Sequence, residues 1–209
     1  MAHVLIWGAS GGIGRALAEA YVAKGHTVVA IARRTQGIET ITSHVVAGDV
    51  DTLESVTAAT QRAAELLNPF DVFVYAVGDI ISVKVAEMAP DNWRRIMRAN
   101  LTGVYLATQA ALPYLAPQAH LFFLGAQHER LRLPGLGTYA AAKAGLEALA
   151  EVIRKETRRR VTVVRPQAVQ TPLWNKVPFR LPAHALTPEQ VAQAILQAWE
   201  EGREGIIDL

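Results

Sequence analysis

Residues 8–14 read Gly8-Ala9-Ser10-Gly11-Gly12-Ile13-Gly14. They lie between an apolar run, His3 to Trp7, and a stretch of helical periodicity from about Gly12 to Lys24, with Gly25 placed for a left-handed C-terminal cap. A strand that enters a helix through a loop this rich in Gly has few ways to fold. Small residues let the turn close tightly and let a ligand approach the backbone, while the helix N-terminus presents unpaired N–H groups and the positive end of its dipole. Gly alone marks any tight turn. The strand before it and the helix after it make this loop a candidate cradle for the pyrophosphate of a dinucleotide.

Strand-like runs recur at Thr27 to Ile31, Ser43 to Ala47, Asp71 to Tyr75, His120 to Leu124 and Val161 to Val164, and Gly205 to Leu209 reads as a short last strand. They alternate little between apolar and polar, as strands buried on both faces do. Helical periodicity fills the intervals. Asp51 or Thr52 can cap a helix carrying Leu53, Val56, Ala63 and Leu66; Pro90 and Asp91 open another; Ala140 to Glu156 is long and amphipathic. Strand and helix in alternation with short connections require a parallel sheet covered on both faces. The expected fold is α/β, a doubly wound parallel sheet of the Rossmann type in a three-layer αβα sandwich, with residues 1–209 as a single domain. One long irregular stretch, Thr171 to Leu186, holds Pro172, Pro178 and Pro182 with Trp174 and Phe179, and reads as a short apolar lid or, alternatively, a surface excursion.

The chain has 209 residues, enough for one substantial core. Its formal charge of +2 comes without a basic face, so nucleic acid is not an expected partner, and Arg158-Arg159-Arg160 reads as a solvated helix end. With no Cys and six scattered His, neither a disulfide, a thiolate nucleophile nor a metal site is expected. No apolar run approaches the roughly 18 residues that span a bilayer, and Met1 leads into a strand without a signal-peptide pattern, so the expectation is a cytoplasmic protein with no membrane partner.

The Gly spacing, G-x-x-x-G-x-G on Gly8, Gly12 and Gly14, resembles that of the short-chain dehydrogenase/reductase family. Where a NAD enzyme places an acid on the ribose 2′-OH, at the end of the second strand, this chain has Ala32-Arg33-Arg34. A guanidinium there can take a 2′-phosphate in a bidentate contact, which favours NADP(H) over NAD(H); two solvent-facing arginines are the alternative. By resemblance, Ser10, Gly11, Ile13, Ala76 and Gly78 join the dinucleotide site, with Asp49 and Val50 at the adenine. Gly78 closes Tyr75-Ala76-Val77-Gly78, where the family commonly has N-N-A-G, so both Asn are missing. Arg165-Pro166-Gln167-Ala168-Val169-Gln170-Thr171-Pro172 resembles the family's P-G-x-x-x-T segment, which implies that Pro166, Val169 and Thr171 face the nicotinamide.

Tyr139 and Lys143 stand one helical turn apart and so share a face. A phenol ionises near pH 10 and works as an acid or base at neutral pH only if its anion is stabilised, which a nearby ammonium does. In the family's Y-x-x-x-K motif the Tyr exchanges a proton with the substrate oxygen and the Lys lowers its pKa while holding the ribose. Asn100 in Arg98-Ala99-Asn100-Leu101-Thr102-Gly103 matches the family Asn whose helix distortion seats a water in the proton relay. The family Ser, thirteen positions before the Tyr, is here Ala126. Gln127 or His128 could donate in its place, and Trp174 is a further candidate substrate contact.

Two readings follow. Retention of Tyr139, Lys143 and Asn100 favours hydride transfer between NADP(H) and a small-molecule carbonyl or alcohol; the missing Ser motivates a catalytically weak or inactive dinucleotide sensor or scaffold. The family commonly pairs its long helices, and the Ala-rich face of Ala140 to Ala150 suits close approach, so a homodimer or homotetramer is expected.

Overall fold

The computed structural model describes all of residues 1–209. Seven strands form one sheet: β1 His3–Trp7, β2 Thr27–Ala32, β3 His44–Ala47, β4 Phe70–Tyr75, β5 Leu115–Leu124, β6 Arg160–Arg165 and β7 Gly205–Asp208. Every neighbouring pair is parallel, in the order β3-β2-β1-β4-β5-β6-β7. Successive side chains of a strand point to opposite faces, and both faces here are covered. Leu5 and Trp7 of β1 therefore enter one core, with α2 Leu53–Leu66, α4 Gly103–Ala111 and α5 Gly137–Thr157. Val4 and Ile6 enter the other, with α1 Gly12–Ala23 and α6 Pro188–Glu200.

Strand order reverses direction between β1 and β4, so the loops that leave their C-terminal ends part to opposite faces and open a crevice. Gly8 follows β1 and Ala76 follows β4, which puts the Gly-rich loop and the Ala76–Gly78 segment on its two walls. Local signals set the flanking helices. Gly25 takes φ +80° after α1, the Thr52 hydroxyl accepts from Ser55 N at 3.1 Å before α2, and Thr187 with Gln190 forms a capping box before α6.

Two boundaries differ from the sequence expectation by three residues or more. β5 begins at Leu115, because Pro117 and Gln118 hide a strand whose register shifts against β4 between Phe70 and Val72. α5 starts at Gly137, three residues before the Ala-rich run, through the poor helix formers Gly137 and Thr138. The helix opened by Pro90 is α3 Pro90–Met97, and it passes through a π-helical segment, Arg98–Thr102, into α4. No helix is long and apolar enough to cross a membrane.

Candidate active site

At the crevice the chain closes on itself so tightly that Gly is obligatory. Gly8 takes φ +87°, and a Cβ there would lie 2.8 Å from Ala76 C and Val77 N. One at Gly14 would overlap Gly8 O. A Cβ at Gly12 would come within 2.9 Å of Thr171 Cγ2, so the segment after β6 rests directly on the start of α1. No side chain caps α1, Ser10 and Gly11 are exposed, and Ile13 turns into the crevice. Uncapped N–H groups behind a loop of small residues suit an anionic pyrophosphate, and the chain fits a dinucleotide here.

Beyond the end of β2, Arg33 and Arg34 are both exposed. Arg33 Nε lies 3.7 Å from Asp49 Oδ2, so two residues expected to face the same ligand already pair with each other. Val50 is buried in the core beneath them. A third cation escaped the sequence reading: Arg15, in the first turn of α1, pairs with Glu19 at 3.0 Å and reaches the turn after β2, 3.5 Å from where a Cβ on Gly37 would lie.

A cleft enclosing about 860 Å³, open mouth included, continues from the crevice between β4, β5 and the 171–186 segment. Ala76, Gly78, Ala126, Tyr139, Lys143, Pro166, Val169, Thr171 and Trp174 all line it. The early start of α5 puts Tyr139 in its first turn, and Lys143 stands one turn on. Lys143 Nζ donates to Leu124 O at 2.7 Å and lies 5.5 Å from the centroid of the Tyr139 ring. Burial pushes the Tyr139 phenol up to about 12 and the Lys143 ammonium down to about 8. Burial is the dominant influence on the phenol, with the Lys143 Nζ turned to a carbonyl and facing the ring.

Asn100 is fully buried within the π segment, where Gly103 N bonds Arg98 O. Its Nδ2 donates to Asp79 O at 2.6 Å and Ile96 O at 2.9 Å, tying the loop after β4 to this helix, and its buried Oδ1 has no partner. A helix distortion at Asn100 is thus present.

Residues 2–180 match the family described as short chain dehydrogenase. The chain belongs to this oxidoreductase family. Sepiapterin reductase of Chlorobaculum tepidum is 26% identical over all of this chain and 94% of its own length. A longer relative, 30% identical, is matched over only 17% of its length. An alcohol dehydrogenase from Thermococcus sibiricus, solved with 5-hydroxy-NADP, superposes with a TM-score of 0.92 at 24% identity, covering 100% of this chain and 96% of that one. A 3-ketoacyl-(acyl-carrier-protein) reductase from Brucella melitensis, solved with NADH, superposes at 0.87 with 22% identity over the same shares.

Within this short chain dehydrogenase, the substitutes considered for the missing Ser do not reach the cleft. Ala126 is buried in its wall and brings only a methyl group. Gln127 lines an adjoining cavity instead. His128 is held outside by carboxylates, its Nε2 3.4 Å from Glu147 and 3.5 Å from Glu129. These three side chains bring ligand atoms within 4.8 Å of one another, a convergence that His spacing gave no hint of. Arg165 fills the cluster as a fixed cation, 3.1 Å from Glu129 and 3.3 Å from Glu147, and grips Asp208 through two bonds of 2.6 and 2.9 Å. Another unforeseen pairing crosses the cleft mouth: Asp79 accepts from Arg95 and from Lys176, the latter at 2.6 Å on the 171–186 segment.

Proposed function

We propose that this protein transfers hydride between NADP(H), in preference to NAD(H), and a small-molecule carbonyl or alcohol, with Tyr139 as the acid and base. The observation that carries this reading is the placing of Tyr139 and Lys143 side by side in a cleft that opens from the Gly-rich crevice and is roofed by Trp174 and Phe179. The Gly8–Gly14 loop, with Ser10, Gly11, Gly12 and Ile13, would hold the pyrophosphate. Asp49 and Val50 would border the adenine, Arg33 and Arg34 the 2′-phosphate, and Ala76, Gly78, Pro166, Val169 and Thr171 the nicotinamide. Once bound, the dinucleotide supplies or takes up the hydride.

The chain's own part is proton chemistry and shape. At neutral pH a phenol with its pKa near 12 is protonated, which is the state an acid needs, so Tyr139 Oη can give its proton to a substrate oxygen as negative charge develops there. Lys143 is an ammonium below about pH 8 and stabilises the phenolate left behind. Asn100 holds the loop after β4 in place and offers Oδ1 as a buried acceptor for a relay water. Apolar Leu173, Trp174, Val177 and Phe179 of the 171–186 lid exclude bulk water and strengthen each of these interactions.

Ala126 supports the second reading, a dinucleotide sensor or scaffold with little chemistry, because no donor meets the substrate oxygen from that wall. Deuterium transfer separates the two. With NADPH carrying deuterium at both C4 positions of the nicotinamide, the alcohol formed from an aldehyde or ketone carries the label on its carbinol carbon if the proposal holds. Unlabelled alcohol, or none from any carbonyl tested, contradicts it.

A further inference from the structure

Next to the catalytic cleft is a second cavity enclosing about 560 Å³, open mouth included. The two adjoin at Leu131 and Gln167, which line both. Their characters differ: 14 of the 20 residues lining the cleft are hydrophobic, against 2 of 7 in the neighbour. Its ionisable lining side chains are Arg130, from the turn after β5, and His184, from the lid; no carboxylate lines it.

Arg130 makes one long hydrogen bond, from Nη1 to Gln167 Oε1 at 3.4 Å, so most of its five donors are free. Three carboxylates lie behind this wall, and Arg165 engages each of them: Asp208 at 2.6 Å, Glu129 at 3.1 Å and Glu147 at 3.3 Å. Asp208 is the one that also feels Arg130, yet both its oxygens are bonded to Arg165. One arginine is thus consumed in holding the β5 turn to α5 and β7, and the other is left facing the cavity with the amides of Gln127 and Gln167 beside it.

We infer that this cavity is a subsite for an anionic group, and that the substrate is a carbonyl compound whose apolar body fills the cleft and whose far end carries a carboxylate or phosphate. The inference rests on the carbonyl-reducing reading of the cleft. A guanidinium with free donors, flanked by amides and facing a cavity that Pro182 and His184 of the lid also border, recognises such an oxyanion through charge-assisted bonds. A purely apolar substrate has no use for it.

The test compares unbranched ω-oxo carboxylates of increasing chain length with their methyl esters, and ω-oxoalkyl phosphates with their neutral alcohols, under NADPH. At the best length the anionic member exceeds its neutral counterpart in kcat/KM by about tenfold in the wild type, the worth of a partly exposed charge-assisted contact. That ratio falls to about one in Arg130→Gln, where the contact is gone. It survives in Arg132→Gln, which removes the same charge from the same turn but not from the cavity wall. Anions no better than neutral partners at any length, or a preference that survives Arg130→Gln, overturns the inference. If neither series is reduced, the functional reading fails separately, and calorimetry with hexanoate and hexanamide decides the subsite. Hexanoate bound more tightly by wild type than by Arg130→Gln upholds it; equal binding of both probes overturns it.

Discussion

A methyl group lines the cleft at Ala126, where the proposed chemistry, with an oxyanion forming beside Tyr139, calls for a donor. Ala126→Ser is expected to raise kcat by about tenfold or more, since a missing donor of this kind typically costs a factor of roughly a hundred to a thousand. An unchanged kcat would show that another group already fills that role. On the proposed chemistry, Lys143 sets the pH dependence. Its ammonium is present below about pH 8 and is lost above it, while Tyr139, near 12, stays protonated throughout. Reduction at saturating substrate should therefore hold steady from about pH 6 to 7.5 and decline beyond about 8; a rate that climbs toward pH 9 would contradict this assignment. At the other end of the crevice, Arg33→Ala with Arg34→Ala should weaken NADPH binding by about tenfold or more and leave NADH little changed, by loss of charge-assisted phosphate contacts. Equal losses for both would remove the case for a 2′-phosphate site. The shared face of Tyr139 and Lys143 was legible from their spacing of one helical turn, whereas Asn100 was singled out by family resemblance. Asp79 and Lys176 were not legible, being 97 residues apart with no periodicity to join them, and Arg165 with Asp208, 43 apart, escaped for the same reason.

Strands and helices were legible where apolar runs ended in clear punctuation. Gly25, Thr52 and Pro90 each mark the boundary the structure shows. The start of β5 was hidden by Pro117 and Gln118, and the π segment at Arg98–Thr102 was visible only through family resemblance, because nothing in its composition breaks a helix. The 171–186 segment contains neither a β-strand nor an α-helix, and is held at the cleft mouth by the Lys176–Asp79 pair and at its base by the Val169–Leu186 bridge. Asp79→Asn removes the charge that Lys176 and Arg95 share. Amide hydrogen exchange in residues 172–180 should then speed up several-fold, with exchange in β4 and β5 unaltered. Exchange that is unchanged across the segment would mean that its apolar contacts alone hold it shut.

The alternation of strands and helices was sufficient to imply a parallel sheet covered on both faces, and the structure puts the reversal of strand order between β1 and β4. That reversal places the Gly-rich loop, the Ala76–Gly78 segment and the start of α5 around one cleft. On the outer surface, Ala141, Ala148 and Val152 of α5 form an exposed apolar stripe at helical spacing, with Tyr105 exposed on α4, while Gly145 lets α5 lie close on Leu101. Light scattering should give the mass of a dimer or tetramer, and Val152→Arg should shift it toward the monomer; a monomeric wild type at micromolar concentration would contradict the helix-pairing surface. The central claim, that Tyr139 drives carbonyl chemistry on a bound NADPH, is met most directly by following NADPH oxidation with aldehydes, ketones and quinones in wild type and Tyr139→Phe, with binding checked by nicotinamide fluorescence. Turnover by the wild type, lost by about a hundredfold or more in Tyr139→Phe while NADPH still binds, is the predicted result for loss of a general acid. Tight NADPH binding with no turnover of any substrate, or a Tyr139→Phe variant as fast as the wild type, would contradict it.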